Sequence, residues 1–256
     1  MAAQRPIDSF SCLTFDCFGT LIDWETGLYA ALSPLIQQLP PSHPLQNDRL
    51  GALKAFSKHE GYVQSEKPTE LYNKVLAESY VRLATELGVI ASAEDKERFG
   101  ASVGDWKPFP DTVSALQRLK KHFKLVILSN VDRASFARTL STQLAGVEFD
   151  AIYTAEDIGS YKPDQKNFQY LIDHCEKELG VKKDKIIHTA YSLFHDLVPA
   201  AKIGLSSSYI ERGQEENKSA MGGDVRDFQG QLNFSWHFQK LEEMADAVDA
   251  STQALS

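Results

Sequence analysis

An α/β fold, with a mostly parallel sheet covered by helices and a helical domain inserted near its start, follows from three features of this 256-residue chain. Short apolar runs alternate with helix-period segments from Thr112 onward, the pattern of strands buried on both faces by crossover helices. An isolated apolar run, Cys12-Leu13-Thr14-Phe15, ends in Asp16. Between that run and the next strand the sequence keeps helical periodicity and offers no good strand.

The elements follow in order. Residues 1–11 read as an irregular arm, and Cys12–Phe15 as a short strand leading into the loop Asp16-Cys17-Phe18-Gly19-Thr20. Helical periodicity runs from Trp24 to Leu39 and breaks at the prolines of 40–44. It resumes over 48–64, 69–86 and 92–102. Pro108 and Pro110 then mark a constrained linker. These boundaries predict a helical domain over 24–105 and an α/β core from 1–23 and 106–256. In the core, helices are expected over 112–121, 133–144, 164–179 and 198–203, and strands over 124–128, 151–154, 185–189 and 207–210. The polar stretch 213–227 reads as exposed, and a last helix is expected over 236–248.

Composition narrows the function classes. The chain is 43% hydrophobic and 24% charged, enough for a sizeable core. A formal net charge of -8 argues against a general nucleic-acid binder. No basic-flanked leader or long apolar run is present, so the reading is a cytoplasmic protein without a membrane partner. Cys12, Cys17 and Cys175 are sparse and lack CxxC spacing, which speaks for free thiols and against structural zinc.

Ligands of open parallel sheets bind beyond the carboxyl ends of the strands. Asp16, Ser129 and the segment at Tyr191 each follow a predicted strand and are therefore expected to converge. From the first segment alone, Asp16 reads equally as a strand-end carboxylate capping a turn.

Four segments in order carry a resemblance: Phe15-Asp16-Cys17-Phe18-Gly19-Thr20-Leu21-Ile22-Asp23, Leu125-Val126-Ile127-Leu128-Ser129-Asn130, Tyr161-Lys162-Pro163-Asp164, and the run from His188 to Leu205 around Asp196. Together they resemble the motifs of the haloacid dehalogenase superfamily, and among its branches the type II 2-haloacid dehalogenases. The resemblance implies a Rossmann-like core with a helical cap. It implies Asp16 as the nucleophile that forms an ester with a small, anionic substrate, with Thr20 orienting it and Lys162 paired to it. Ser129 and Asn130 would hold the substrate's anionic group, and Asp196 would position or activate water. Cys17, Phe18, Trp24, Arg49, Tyr191, Ser192 and His195 are the further candidates for substrate contacts. A homodimer is suggested by the resemblance alone.

Departures from the pattern shape the expected chemistry. Superfamily phosphatases carry a second Asp two residues after the nucleophile, where this chain has Phe18, which transfers no proton. They also carry an acidic magnesium ligand where this chain has Tyr191, a poor ligand for a hard cation. A halide leaving group needs no proton, so the leading expectation is a hydrolase without metal or other cofactor. Against it, the segment Leu53–Glu60 lacks the arginine with which dehalogenase caps grip the substrate, leaving Arg49, Lys54, Lys58 or His59 as substitutes. Leu193 also stands where an asparagine is usual, and His195 where a tryptophan is usual. His188 reads as a strand-end residue rather than part of the chemistry, and Arg133 and Arg212 as weak candidates for anion contact. The alternatives are a magnesium-dependent phosphatase and a catalytically inactive module that binds a small molecule or a protein.

Overall fold

The computed structural model describes residues 5–212 and 223–253. Its sheet has six parallel strands: β1 (Cys12–Phe15), β2 (Lys124–Ser129), β3 (Ala151–Thr154), β4 (Ile186–Ala190), β5 (Ser206–Ile210) and β6 (Trp236–Phe238). They lie in the order β3-β2-β1-β4-β5-β6. The chain builds outward from β1 through β2 to β3, then returns to the other side of β1 with β4. A crevice forms where strand order reverses in this way. Register aligns its rim, since Phe15 lies opposite both Ile127 of β2 and Thr189 of β4.

Between β1 and β2 the described chain is helical: α1 (Trp24–Ile36), α2 (Arg49–Glu66), α3 (Tyr72–Glu86) and α4 (Ala93–Ala101). Each α-helix except α3 starts from a side-chain cap, with Asp23 accepting from Thr26 N, Asp48 from Gly51 N and Ser92 from Asp95 N. This helical insertion shares one apolar cluster with the sheet, through Phe18, Trp24, Val103, Trp106 and Phe136. Gly27 lets Trp106 press directly on α1, because a Cβ there would fall 2.3 Å from the Trp106 ring.

After β2 come α6 (Arg133–Thr142), the short α7 (Ala155–Ile158), α8 (Gln165–Leu179), α9 (Val198–Ile203) and α10 (Leu241–Gln253), with α5 (Thr112–Leu119) preceding β2. Several expectations needed correction. The N-terminal arm is not irregular throughout: Ile7–Ser9 form a 3-10 turn, and Ile7 and Phe10 are buried. α1 ends at Ile36 rather than Leu39. The expected helix from Trp236 is a short strand, β6, followed by α10, because Trp236-His237-Phe238 complete the sheet beside β5. A π-helical turn at Leu193–Leu197 went unforeseen, as did α7. Of the polar stretch 213–227, residues 213–222 lie outside the described residues, and most of the remainder is exposed. Cys12, Cys17 and Cys175 are free and buried. No helix among the described residues is long and apolar enough to cross a membrane.

Candidate active site

The crevice at the carboxyl end of β1 holds a chain of buried charges. Asp16 is the first residue after β1, and its Oδ2 accepts from the Thr20 hydroxyl at 2.7 Å. Thr20 Oγ1 in turn accepts from the Tyr191 backbone N–H at 3.0 Å, which fixes the direction of the threonine proton. Gly19 makes the loop possible, turning it at φ 99° where a side chain is disfavoured. Arg212 braces the same loop by donating from Nε to the Thr20 carbonyl at 3.0 Å and from Nη1 to Asp111 at 2.6 Å.

Lys162, 2% exposed, lies on the segment between α7 and α8. Its ammonium donates to Asp16 Oδ1 at 2.8 Å, to Asp196 Oδ1 at 2.7 Å and to the Leu128 carbonyl at 3.0 Å. An ammonium has three donors, and all three are engaged. Asn130 holds the lysine backbone from both sides, its Oδ1 accepting from Lys162 N at 2.7 Å and its Nδ2 donating to Lys162 O at 3.0 Å.

Asp196 sits on the π-helical turn after β4. The turn swings Phe194, His195 and Asp196 over the end of the sheet, and Ser192 caps it by accepting from His195 N at 3.1 Å. His188 of β4 meets Asp196 Oδ1 through Nε2 at 2.9 Å and Thr14 Oγ1 through Nδ1 at 2.9 Å. Because an ionised carboxylate only accepts, Nε2 is assigned the proton and Nδ1 accepts from the threonine.

These partners separate the two carboxylates. Burial pushes Asp16 upward; Lys162 opposes this, but the like charge of Asp196 adds to it. Burial alone would also raise Asp196, yet Lys162 and His188 together outweigh it and hold Asp196 low. Lys162 is held protonated despite its burial by the two carboxylates beside it. Burial pushes His195 down to about 4, so its imidazole is neutral at neutral pH.

A cleft of about 210 Å³ opens above this network. Asp16, Phe18, Ser129, Asn130, Lys162, Ser192, Phe194, His195 and Asp196 line its core side. Trp24, Ser57, Glu60, Gly61, Gln64 and Tyr72 close it from the helical insertion. Ser129 Oγ and Ser57 Oγ are both buried and have no hydrogen-bond partner among the described residues.

A family model for haloacid dehalogenase-like hydrolases matches residues 10–189. The chain belongs to that family. It is 25% identical over 210 residues to an (S)-2-haloacid dehalogenase of Pseudomonas putida, covering 78% of this chain and 84% of the relative. Its fold matches a defluorinating L-2-haloacid dehalogenase with a TM-score of 0.75 at 18% identity, over 96% of this chain and 98% of that one. It also matches the L-2-haloacid dehalogenase of Xanthobacter autotrophicus with a TM-score of 0.72 at 17% identity, over 94% and 98%. The α/β hydrolase core expected from the sequence is therefore that of the haloacid dehalogenase-like hydrolases.

Within this family member, the structure brings most of the anticipated residues together. Asp16, Lys162 and Asp196 touch through one ammonium, Thr20 orients Asp16, and Phe18, Trp24, Ser129, Ser192 and His195 line the cleft. Asn130 lines it too, but its amide is engaged with the Lys162 backbone, which makes it a positioning residue. Three expected substrate contacts stand elsewhere. Arg49 is exposed, donates to Thr26 Oγ1 at 3.2 Å and lies over the Tyr29 ring. Cys17 is fully buried in the core beneath the loop. The Tyr191 side chain packs with Leu193, Leu197 and Tyr209, and it is the backbone N–H that donates to Thr20 Oγ1. Arg133 pairs with Glu156 and Asp157, and Lys58 with Glu86, both away from the cleft.

Two residues escaped the sequence reading. His188 is a partner of Asp196 rather than a bystander at a strand end. Its signal was a histidine inside an otherwise apolar buried strand, which must find polar partners. Glu60 lines the cleft on α2, where Ala52, Leu53, Phe56 and Val63 mark the buried face. Helical spacing puts Glu60 on that face, a position where an acid is unusual.

Proposed function

We propose that this hydrolase displaces a leaving group, halide in the simplest case, from C2 of a small 2-substituted carboxylic acid by attack of Asp16. The observation that carries the reading is the placement of Asp16 between Thr20 Oγ1 at 2.7 Å and Lys162 Nζ at 2.8 Å, at the floor of a cleft walled by Phe18. The two donors hold the carboxylate in one orientation and favour its ionised form against the burial that opposes it.

The carboxylate displaces the halide, which leaves as an anion and needs no acid from position 18. An ester now joins Asp16 to C2 of the substrate. Water then attacks the ester carbonyl carbon and gives a proton to Asp196; the intermediate collapses by breaking the bond from the carbonyl carbon to the ester oxygen, and Asp196 returns the proton to that oxygen, which leaves as the product alcohol's hydroxyl. Asp196 suits this step: Lys162 and His188 both hold its Oδ1, and no hydrogen bond engages its Oδ2 among the described residues. Ser129 Oγ is available to hold the substrate carboxylate. With Lys162 fully engaged, neutral donors take the place of the missing arginine.

A magnesium ion does not fit this donor set. The ammonium of Lys162 already lies between Asp16 and Asp196, and the third ligand position carries Tyr191, whose side chain packs away from the cleft. The test is halide release from 2-chloropropionate with a chelator and with added magnesium. Equal release in both is expected, and Asp16→Asn is expected to lose turnover by at least about 10³-fold. Strict magnesium dependence, or wild-type turnover by the variant, would sink the mechanism.

A further inference from the structure

Helix α2 forms the wall opposite the reacting groups with Ser57, Glu60, Gly61 and Gln64. Spacings of three and four put them on one helix face. Glu60 is the ionisable group on that face and only 7% exposed. One of its oxygens, Oε1, accepts from the Tyr72 hydroxyl at 2.7 Å. Among the described residues, Oε2 has no hydrogen bond, and neither oxygen has an ion pair. A buried carboxyl left half satisfied is costly, and burial holds this one at about 7. Ser57 Oγ, three residues earlier on the same face, also lacks a partner. The cation lining the cleft, Lys162, has no donor left for a ligand. A second anionic group on the substrate therefore meets an acid and no free cation at this wall, whereas a hydrogen-bond donor meets an open acceptor.

We propose that Glu60 is a specificity residue that accepts a hydrogen bond from a hydroxyl or ammonium group carried by the substrate beyond the carbon that Asp16 attacks. The inference rests on the proposed attack at C2 for its orientation, but Glu60 acts in binding, so binding tests it without turnover.

The experiment is calorimetric titration of Asp16→Asn at about pH 8.5, where Glu60 is ionised, with three acids: 2-chlorobutyrate, its near-isostere 2-chloro-3-hydroxypropionate, and 2-chlorosuccinate. The hydroxy acid is expected to bind about tenfold tighter than the alkyl acid, as for a hydrogen bond to a charged group, and the dicarboxylate weakest. Adding Glu60→Leu brings the hydroxy-to-alkyl ratio to about one. Adding Glu60→Gln keeps a carbonyl acceptor and part of the ratio, but admits the dicarboxylate. Equal binding of the hydroxy and alkyl acids in Asp16→Asn overturns the proposal. So does a ratio that survives Glu60→Leu, and so does failure of all three acids to bind, which also counts against the C2 reading. The expected ratios without halide release by the wild type support Glu60 and overturn the proposed reaction alone.

Discussion

The two walls of the cleft are both buried but differ in how completely their polar groups are satisfied. On the sheet side, Thr14, His188, Asp196, Lys162, Asp16, Thr20 and the Tyr191 backbone form one continuous chain of hydrogen bonds, and Ser129 Oγ beside it is left open. On the α2 side, Ser57 Oγ has no partner and Glu60 has one. Groups that must react gain from being held before substrate arrives, because no reorganisation is then needed in the transition state. Groups that must recognise a substrate gain from remaining open until it binds. The sheet wall has the organisation of reaction machinery, and the insertion wall that of a recognition surface.

The sharpest way to break the comparison is Lys162→Met, which removes the centre of the sheet-side chain with little change in volume. It leaves Asp16 and Asp196 buried without their shared cation. Turnover is expected to fall by at least about 10³-fold, since the nucleophile then favours its protonated form. Stability at neutral pH is expected to fall by about 3–5 kcal/mol, the scale for leaving a buried charge unpaired. The loss should shrink in acid, where a proton on one carboxyl replaces the ammonium. Urea unfolding at neutral and acidic pH measures both. A variant as stable as wild type at neutral pH would mean that the sheet wall does not depend on its ion pairs.

The same contrast explains what the sequence made legible. Asp16 follows an apolar strand and Ser129 ends one, so local pattern and strand order placed these two together, whereas Lys162 and Asp196 were placed by the resemblance of their segments to family motifs. His188 was harder because its role depends on Asp196, eight residues later, being swung back by a π-helical turn that no periodicity announced. The helical insertion was visible as a block, but its inward face was not. Arg49 carries the charge the resemblance calls for, yet its side chain lies with Thr26 and Tyr29, whereas Glu60 holds the inward position. Charge type suggested one residue and helical phase selected another. β6 was lost because three residues are too few to separate a strand from the start of a helix.

His188 offers a smaller perturbation of the same wall. It touches Asp196 and not the cleft, so it acts as a positioning residue. His188→Phe should lower kcat by roughly 10- to 100-fold, the value of a hydrogen bond to a charged group, with KM falling alongside it so that kcat/KM changes little. His188→Gln, which can still donate to Asp196, should recover part of the loss. Single-turnover kinetics should place the defect in ester hydrolysis, with ester accumulating. A fall in the rate of halide release in the first turnover, with no accumulated ester, would contradict the assignment of Asp196 to the water step.

The mildest expected effect concerns the α2 wall. Burial raises the Glu60 carboxyl from its ordinary 4.5 to about 7, and the Tyr72 hydroxyl only partly offsets it. The folded protein therefore holds a proton that the unfolded chain releases. The contribution of this group to stability is fully present below about pH 4.5 and is lost as pH rises through about 7. The full shift corresponds to about 3 kcal/mol, and water reaching the open oxygen through the cleft brings the expected figure to about 1–2 kcal/mol. Glu60→Gln cannot ionise and still accepts from Tyr72. Its stability should gain on the wild type by that amount between about pH 5 and pH 8, as denaturant unfolding would measure. Every other titrating group is common to the two proteins, so the difference curve isolates this one side chain. Parallel curves would mean that Glu60 is as well solvated in the fold as in the unfolded chain, and the unsatisfied α2 wall would lose its main support.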